Sequence, residues 1–241
     1  MKTKMLTSFI DKYYLSGEAP SVVWKSDLSK KQLFTKFVNE KKTLLGEVTM
    51  DNSDLETGDV GIYNTDILKS QLTYLKDDIE IFFTKSEDKF LSLKAKDSLS
   101  EIQYMLSDTT VIPVPPDLKN IPNYELKIGL NSNTMSKFIK GQGALKDVEK
   151  FTILTDNKKV RFVIGYSTNH TNRITIPMMP TEYNEIDKIS FNAKYFSDIF
   201  QANMDCENGL IEISSEGLAK LSFKVDNLTS VYWVVASQDN D

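Results

Sequence analysis

Cysteine and histidine each occur once in this chain of 241 residues, and no long apolar run interrupts it. The lone Cys206 excludes an internal disulfide and suits a reducing, cytoplasmic setting; it reads as a small residue at a helix end. A single His170 leaves neither a multi-histidine metal site nor a histidine-dependent catalytic triad. No stretch approaches the roughly 18 apolar residues of a membrane span. The opening Met1–Lys12 has no uninterrupted apolar core, so a signal peptide is not expected. Without secretion, the glycosylation patterns at Asn169 and Asn227 are chance matches.

The familiar phosphate, dinucleotide and nucleophile motifs are also missing, as is any CxxC pair. Gly141-Gln-Gly143 lacks both the following Lys-Ser/Thr and a helix start, and reads as a helix C-cap. Carboxylates gather at Asp51, Asp54, Glu56 and Asp59 and again at Asp77 and Asp78, in connecting segments where solvated acidic turns are expected. Nothing points to an enzyme, a metal or a cofactor.

What is present is a core and a repeat. Apolar residues make up 40% and charged residues 26%, a soluble, folded composition. Gly61-Ile-Tyr-Asn-Thr-Asp-Ile-Leu-Lys, running on to Glu101–Ser107, has the same pattern as Ser190-Phe-Asn-Ala-Lys-Tyr-Phe-Ser, running on to Ser230–Ser237. Each copy passes from a short apolar strand through an Asn into an amphipathic helix, then into three alternating strands. Leu91-Ser-Leu-Lys matches Leu221-Ser-Phe-Lys, an offset of 130 that repeats a whole domain.

Periodicity predicts a helix over 3–15 ended by Gly17–Pro20, then strands at 21–26, 32–39 and 43–50. After strand 60–63, Asn64 caps a helix with an apolar stripe of Ile67, Leu68, Leu72 and Leu75, and strands 79–84, 90–94 and 100–105 follow. The scheme restarts with strand 124–128, a helix from Asn131 to about Lys146, and strands 151–155, 159–166 and 173–177. It ends with strand 189–191, helix 193–202, and strands 210–214, 219–225 and 231–236. Between the halves lie Pro113, Pro115, Pro116 and Pro122, four of the seven prolines, marking an extended connector. The expected division is a domain at 1–106, a connector at 107–122 and a domain at 123–241. The class is α+β, each domain packing two helices on antiparallel sheets.

Net charge is −5, which gives no general prompt toward nucleic acid. Its distribution is more telling. The four helical segments carry +2, +1, +3 and 0 in chain order, leaving −11 elsewhere. Basic helices on one side would attract phosphate; lysine on an ordinary solvated helix face is the alternative.

This order of elements resembles the DNA sliding clamps, nearest the processivity clamp of T-even-like bacteriophages and more distantly proliferating cell nuclear antigen. Asp187–Phe200, Gly217-Leu-Ala-Lys-Leu-Ser-Phe and Val111–Pro116 carry the likeness, which spans nearly the whole chain. The resemblance implies a homotrimeric ring around double-stranded DNA, helices inward, tethering a DNA polymerase and opened by an ATP-driven clamp loader. It places Lys2, Lys4, Lys12, Lys69, Lys76, Lys137, Lys140, Lys146 and Lys194 toward the DNA. It places a partner-peptide groove at Val111, Ile112, Val114, Val234 and Ala236. A viral structural or assembly protein built from the same repeated domains, without DNA, is the rival reading.

Overall fold

The computed structural model describes residues 2–76, 78–87, 89–167 and 172–237. His170, Asn169 and Asp77 lie outside the described residues. The chain divides into two compact units. One runs through Pro116 and includes Asp226–Ser230; the other takes up Asp117–Val225 and resumes at Val231.

In the first unit, α1 (Thr3–Tyr14) precedes β1 (Val22–Asp27), β2 (Gln32–Val38), β3 (Leu44–Asp51) and β4 (Gly58–Ile62). These strands pair in the order β4-β1-β2-β3, antiparallel throughout. Then come α2 (Thr65–Tyr74) and the antiparallel sheet of β5 (Glu80–Ser86), β6 (Lys89–Lys96) and β7 (Glu101–Met105). Alternation is the reason for strand here: β7 reads exposed, buried, exposed, buried, exposed.

Apolar residues at helical spacing seat α1. Leu6, Phe9, Ile10 and Tyr13 are fully buried. Phe9 meets Tyr13 and Trp24 edge-on, at 5.7 and 5.8 Å between ring centres. Trp24 Nε1 donates to the Tyr13 hydroxyl at 3.3 Å, and burial raises the pKa of that phenol. The helix stops before Gly17: Leu15 turns left-handed at φ 44°, its N–H bonding the Asp11 carbonyl, and Leu15–Gly17 forms a short 3-10 turn.

Asn64 caps α2 as expected, accepting from the Ile67 N–H at 3.1 Å. Ile67 itself is 48% exposed, a correction to the expected stripe. Leu68, Leu72 and Leu75 define the buried face, and Ile67 stands one residue, about 100° of helix, away from it. The Tyr104 hydroxyl of β7 bonds both the N–H and the carbonyl of Asn64, at 2.9 and 3.0 Å, fixing where α2 begins.

The second unit repeats the plan with β8 (Leu126–Leu130), α3 (Ser132–Ala144), β9 (Lys150–Asp156), β10 (Lys159–Ile164) and β11 (Ile174–Met178). There follow β12 (Pro180–Tyr183), β13 (Ile189–Asn192), α4 (Ala193–Ala202), β14 (Gly209–Ser214), β15 (Leu218–Val225) and β16 (Leu228–Val235), of which Val231 onward belongs to this unit. Strand orders are β12-β8-β14-β15-β16 and β11-β10-β9-β13. Phe138 of α3, Phe151, and Phe196 and Phe200 of α4 interlock, with ring centres 4.7–5.9 Å apart along the closest pairs. Such pairs add about 0.5–1.5 kcal/mol each beyond their buried area.

Two readings change here. Gly141 does not cap α3; it lies buried inside it. A Cβ there would stand 3.2 Å from Ile164 Cδ1 and 3.3 Å from Ile174 Cγ2, so glycine permits close packing on β10 and β11. The strand β12 was not anticipated. It is an edge strand opening with Pro180 and bulging before Glu182, where proline costs little and leaves no alternation to read.

Candidate nucleic-acid interface

The helices pack in pairs, α1 with α2 and α3 with α4, each pair laid on its own unit's strands. Asn131 caps α3 by accepting from the Thr134 N–H at 2.9 Å, and Asn192 caps α4 by accepting from the Tyr195 N–H at 3.0 Å. Capping and the apolar face together decide which lysines reach solvent.

In the second unit Lys137 and Lys140 are exposed on α3, and Lys146 is exposed in the turn that follows. Among the described residues these three make no ion pair, and no carboxylate lies between Asn131 and Lys146. Lys194 on α4 is also exposed, but it is held 2.6 Å from Asp198 one turn along. The cationic surface of this pair is therefore carried by α3.

The first unit distributes its cations otherwise. Lys2, Lys4 and Lys76 are exposed, and the Thr3 hydroxyl donates to the Lys76 carbonyl at 2.5 Å, tying the start of α1 to the end of α2. Lys69 pairs across the helices with Asp11 at 2.6 Å. Lys12 is 1% exposed, which removes it from any DNA-facing surface. It lies between Asp11 and Tyr13 on the side of α1 that turns inward, a placement its polar flank in the sequence hid. The Tyr14 hydroxyl donates to Asp66 at 3.3 Å; burial first, then the Asp66 charge, raises its pKa. Besides Asp66, Ser70 and Thr73, α2 offers solvent the large apolar Ile67 and Tyr74, with Tyr63 just before its cap, at 48%, 71% and 59% exposure. Nothing in their spacing alone marked them as surface residues.

Lysines on strands contrast with those on α3. Lys36 meets Glu47, Lys94 meets Glu101, Lys96 meets Glu80, Lys127 meets Glu182 and Lys220 meets Glu212, at 2.8–3.8 Å. Cross-strand register brings the carboxylate directly opposite its lysine in four of these pairs, and diagonally across from Lys94, which stands opposite Gln103, in the fifth. These five strand lysines are neutralised locally, as Lys137 and Lys140 of α3 are not; among the described residues, Lys25, Lys159 and Lys224 are strand lysines that are also exposed without an ion pair.

The residues expected to form a partner groove separate by burial. Val111 and Val114 are 60% and 87% exposed. Ile112 is buried against Gly61, and Val234 is fully buried within β16, so neither presents a surface. Ala236 is half-buried, its N–H bonding the Gly217 carbonyl at 2.8 Å. Among the described residues no cluster of three or more histidine, cysteine or acidic side chains is arranged to hold a metal ion, and no helix is long and apolar enough to cross a membrane.

No family model and no curated protein matches the chain. Solved structures do. The crystal structure of proliferating cellular nuclear antigen from Entamoeba histolytica superimposes with a TM-score of 0.76 at 12% identity, over 99% of this chain and 97% of that one. The structure of the C-terminal region of FEN-1 bound to A. fulgidus PCNA superimposes with a TM-score of 0.77 at 14% identity, over 100% and 98%. The chain has the fold of that antigen, a DNA-clamp fold of two similar α+β units.

Proposed function

We propose that the protein is a sliding clamp: a ring of three copies that encircles duplex DNA and tethers a replicative DNA polymerase, in a phage-like replication system. The observation that carries this reading is the likeness to proliferating cell nuclear antigen over the full length of both chains, repeated units included. The unneutralised lysines of α3, with Lys2, Lys4 and Lys76, support it, because contacts with phosphates are sequence-independent and let a ring slide. The fold alone would not specify function, and these charges are what make the match chemical.

The clamp works without bond chemistry of its own. Encirclement holds the tethered polymerase at high effective concentration over the template. The sequence carries no nucleotide-binding loop, so opening falls to an ATP-driven loader. Since one similar structure carries a bound FEN-1 segment, partner peptides are proposed to engage this chain too, with Val111 and Val114 as exposed contacts. Lys194 and Lys69, already paired, contribute little to DNA binding.

Solution mass with a low-resolution image tests the ring. Three chains of 27.4 kDa around a central hole are expected. A monomer at working concentration, or an assembly without a hole, overturns the reading. Retention on nicked circular DNA and release once the circle is cut then separates a clamp from a viral structural protein.

A further inference from the structure

A cavity of about 340 Å³ opens in the first unit beside β4, between its edge, the β5–β6 hairpin and the chain leaving β7. That volume lies at the lower end of the range for binding pockets. Its wall on one side is a sheet edge with a vacant hydrogen-bonding position. In antiparallel pairing, residues alternate between turning both backbone groups toward the partner and turning both away. Gly61 uses its outward groups on Ser107, whose N–H donates to the Gly61 carbonyl at 3.0 Å. On the partner strand, Val23 turns its carbonyl to β2, where the Thr35 hydroxyl binds it at 2.9 Å. Asp59, two residues from Gly61 and opposite Lys25, therefore aims its N–H and carbonyl into the cavity.

The chain would fill this position itself if it stayed extended past Ser107. It leaves instead. Asp108 accepts from the Thr110 N–H at 3.0 Å and the Thr110 hydroxyl at 2.8 Å, starting the 3-10 turn Thr109–Val111, and Lys89 grips the same carboxylate at 2.8 Å. The floor is apolar: Phe90, packed against Gly58, with Leu91 and Leu106. At the rim, Lys85 is committed to Glu56 and to the face of Phe90, its Nζ 4.5 Å from the ring centre.

We propose that this slot binds a short extended peptide of a partner protein, which adds to β4 through paired hydrogen bonds with Asp59 and sets an uncharged apolar side chain on Phe90. Strand addition supplies affinity through the backbone, and the floor supplies selectivity. The open edge, Gly58–Val60, is closed at one end by Ser107 and accommodates about three residues, roughly 10 Å of extended chain. A whole edge strand from a second copy, typically about five to six residues, needs a longer ladder. Both rim lysines already hold carboxylates, so the rim gives a charged peptide no advantage.

The probe is an acetylated, amidated Thr-Val-Thr peptide titrated into the ¹⁵N-labelled full chain, with amide shifts as readout. Gly58, Asp59, Leu91 and Ser107 are expected to move. In Asp59→Pro the same shifts require at least tenfold more peptide, because only the outward N–H is lost and an edge strand tolerates proline there. Leu91→Asp, at an exposed position, repeats the test if Asp59→Pro fails to fold. Unchanged titration in these variants, shifts confined to other strand edges, or no shift at millimolar peptide overturns the proposal. So does protection of the Asp59 amide on concentrating the protein alone, which would make a second copy the occupant. None of these readouts involves DNA, so the clamp reading stands or falls separately.

Discussion

The helices α2 and α3, one from each unit, are capped alike by asparagine, yet they present opposite chemistry to solvent. On α3, Lys137 and Lys140 stand unpaired, and Lys146 follows. On α2 the one lysine is neutralised across the helix pair by Asp11, and the exposed positions are the acidic Asp66, the polar Ser70 and Thr73, and the large apolar Ile67 and Tyr74. A capped helix seated by an apolar stripe thus leaves its outer face unspecified. Packing constrains only the buried stripe, so the charge of the outward face is free to differ from helix to helix.

The largest expected effects test the seats. Phe138→Ala removes the ring at the centre of the α3–α4 cluster and should cost about 3–5 kcal/mol, read by denaturant unfolding. Leu72→Ala under α2 should cost about 2–5 kcal/mol; a much smaller loss there would mean α2 is less firmly seated.

Charge reversal sharpens the contrast between outer faces. Lys137→Glu with Lys140→Glu should flatten the salt dependence of DNA binding by about two units of log–log slope or more, with assembly mass unchanged. Lys69→Glu should leave that slope nearly unchanged and cost about 0.2–1 kcal/mol of stability through the lost pair with Asp11. Equal effects from the two experiments would remove the distinction between α2 and α3.

The caps come next: Asn64→Ala and Asn131→Ala should each destabilise by about 0.5–2 kcal/mol, since both side chains accept from the first helical turn. The smallest effect is a pH dependence at the β1–β2 turn. Hydrogen bonds from Ser29, then Lys30, bring the Asp27 pKa down to about 2. Its folded value lies below the ordinary value near 3.9, so its contribution is present above roughly pH 4 and is lost as pH falls toward 2. Asp27→Asn should blunt the fall in Tm across that window.

The sequence by itself determined the secondary-structure plan. Alternation and helical periodicity are local consequences of burying one face, and asparagine before α2, α3 and α4 marks where backbone N–H groups need a partner. The repeat was legible for the same reason, and so was the Lys194–Asp198 pair, four residues apart on one helix. Only the tertiary structure decided which charges remain available. Lys12 and Lys69 look alike in the sequence, yet one is buried and the other is paired with a residue 58 positions away. The strand lysines meet their carboxylates through register, which the chain specifies only once its strands have paired. The role of Gly141 likewise depends on Ile164 and Ile174, contributed by other strands. Local pattern is set by neighbours along the chain, whereas net surface charge and close approach are set by neighbours in space.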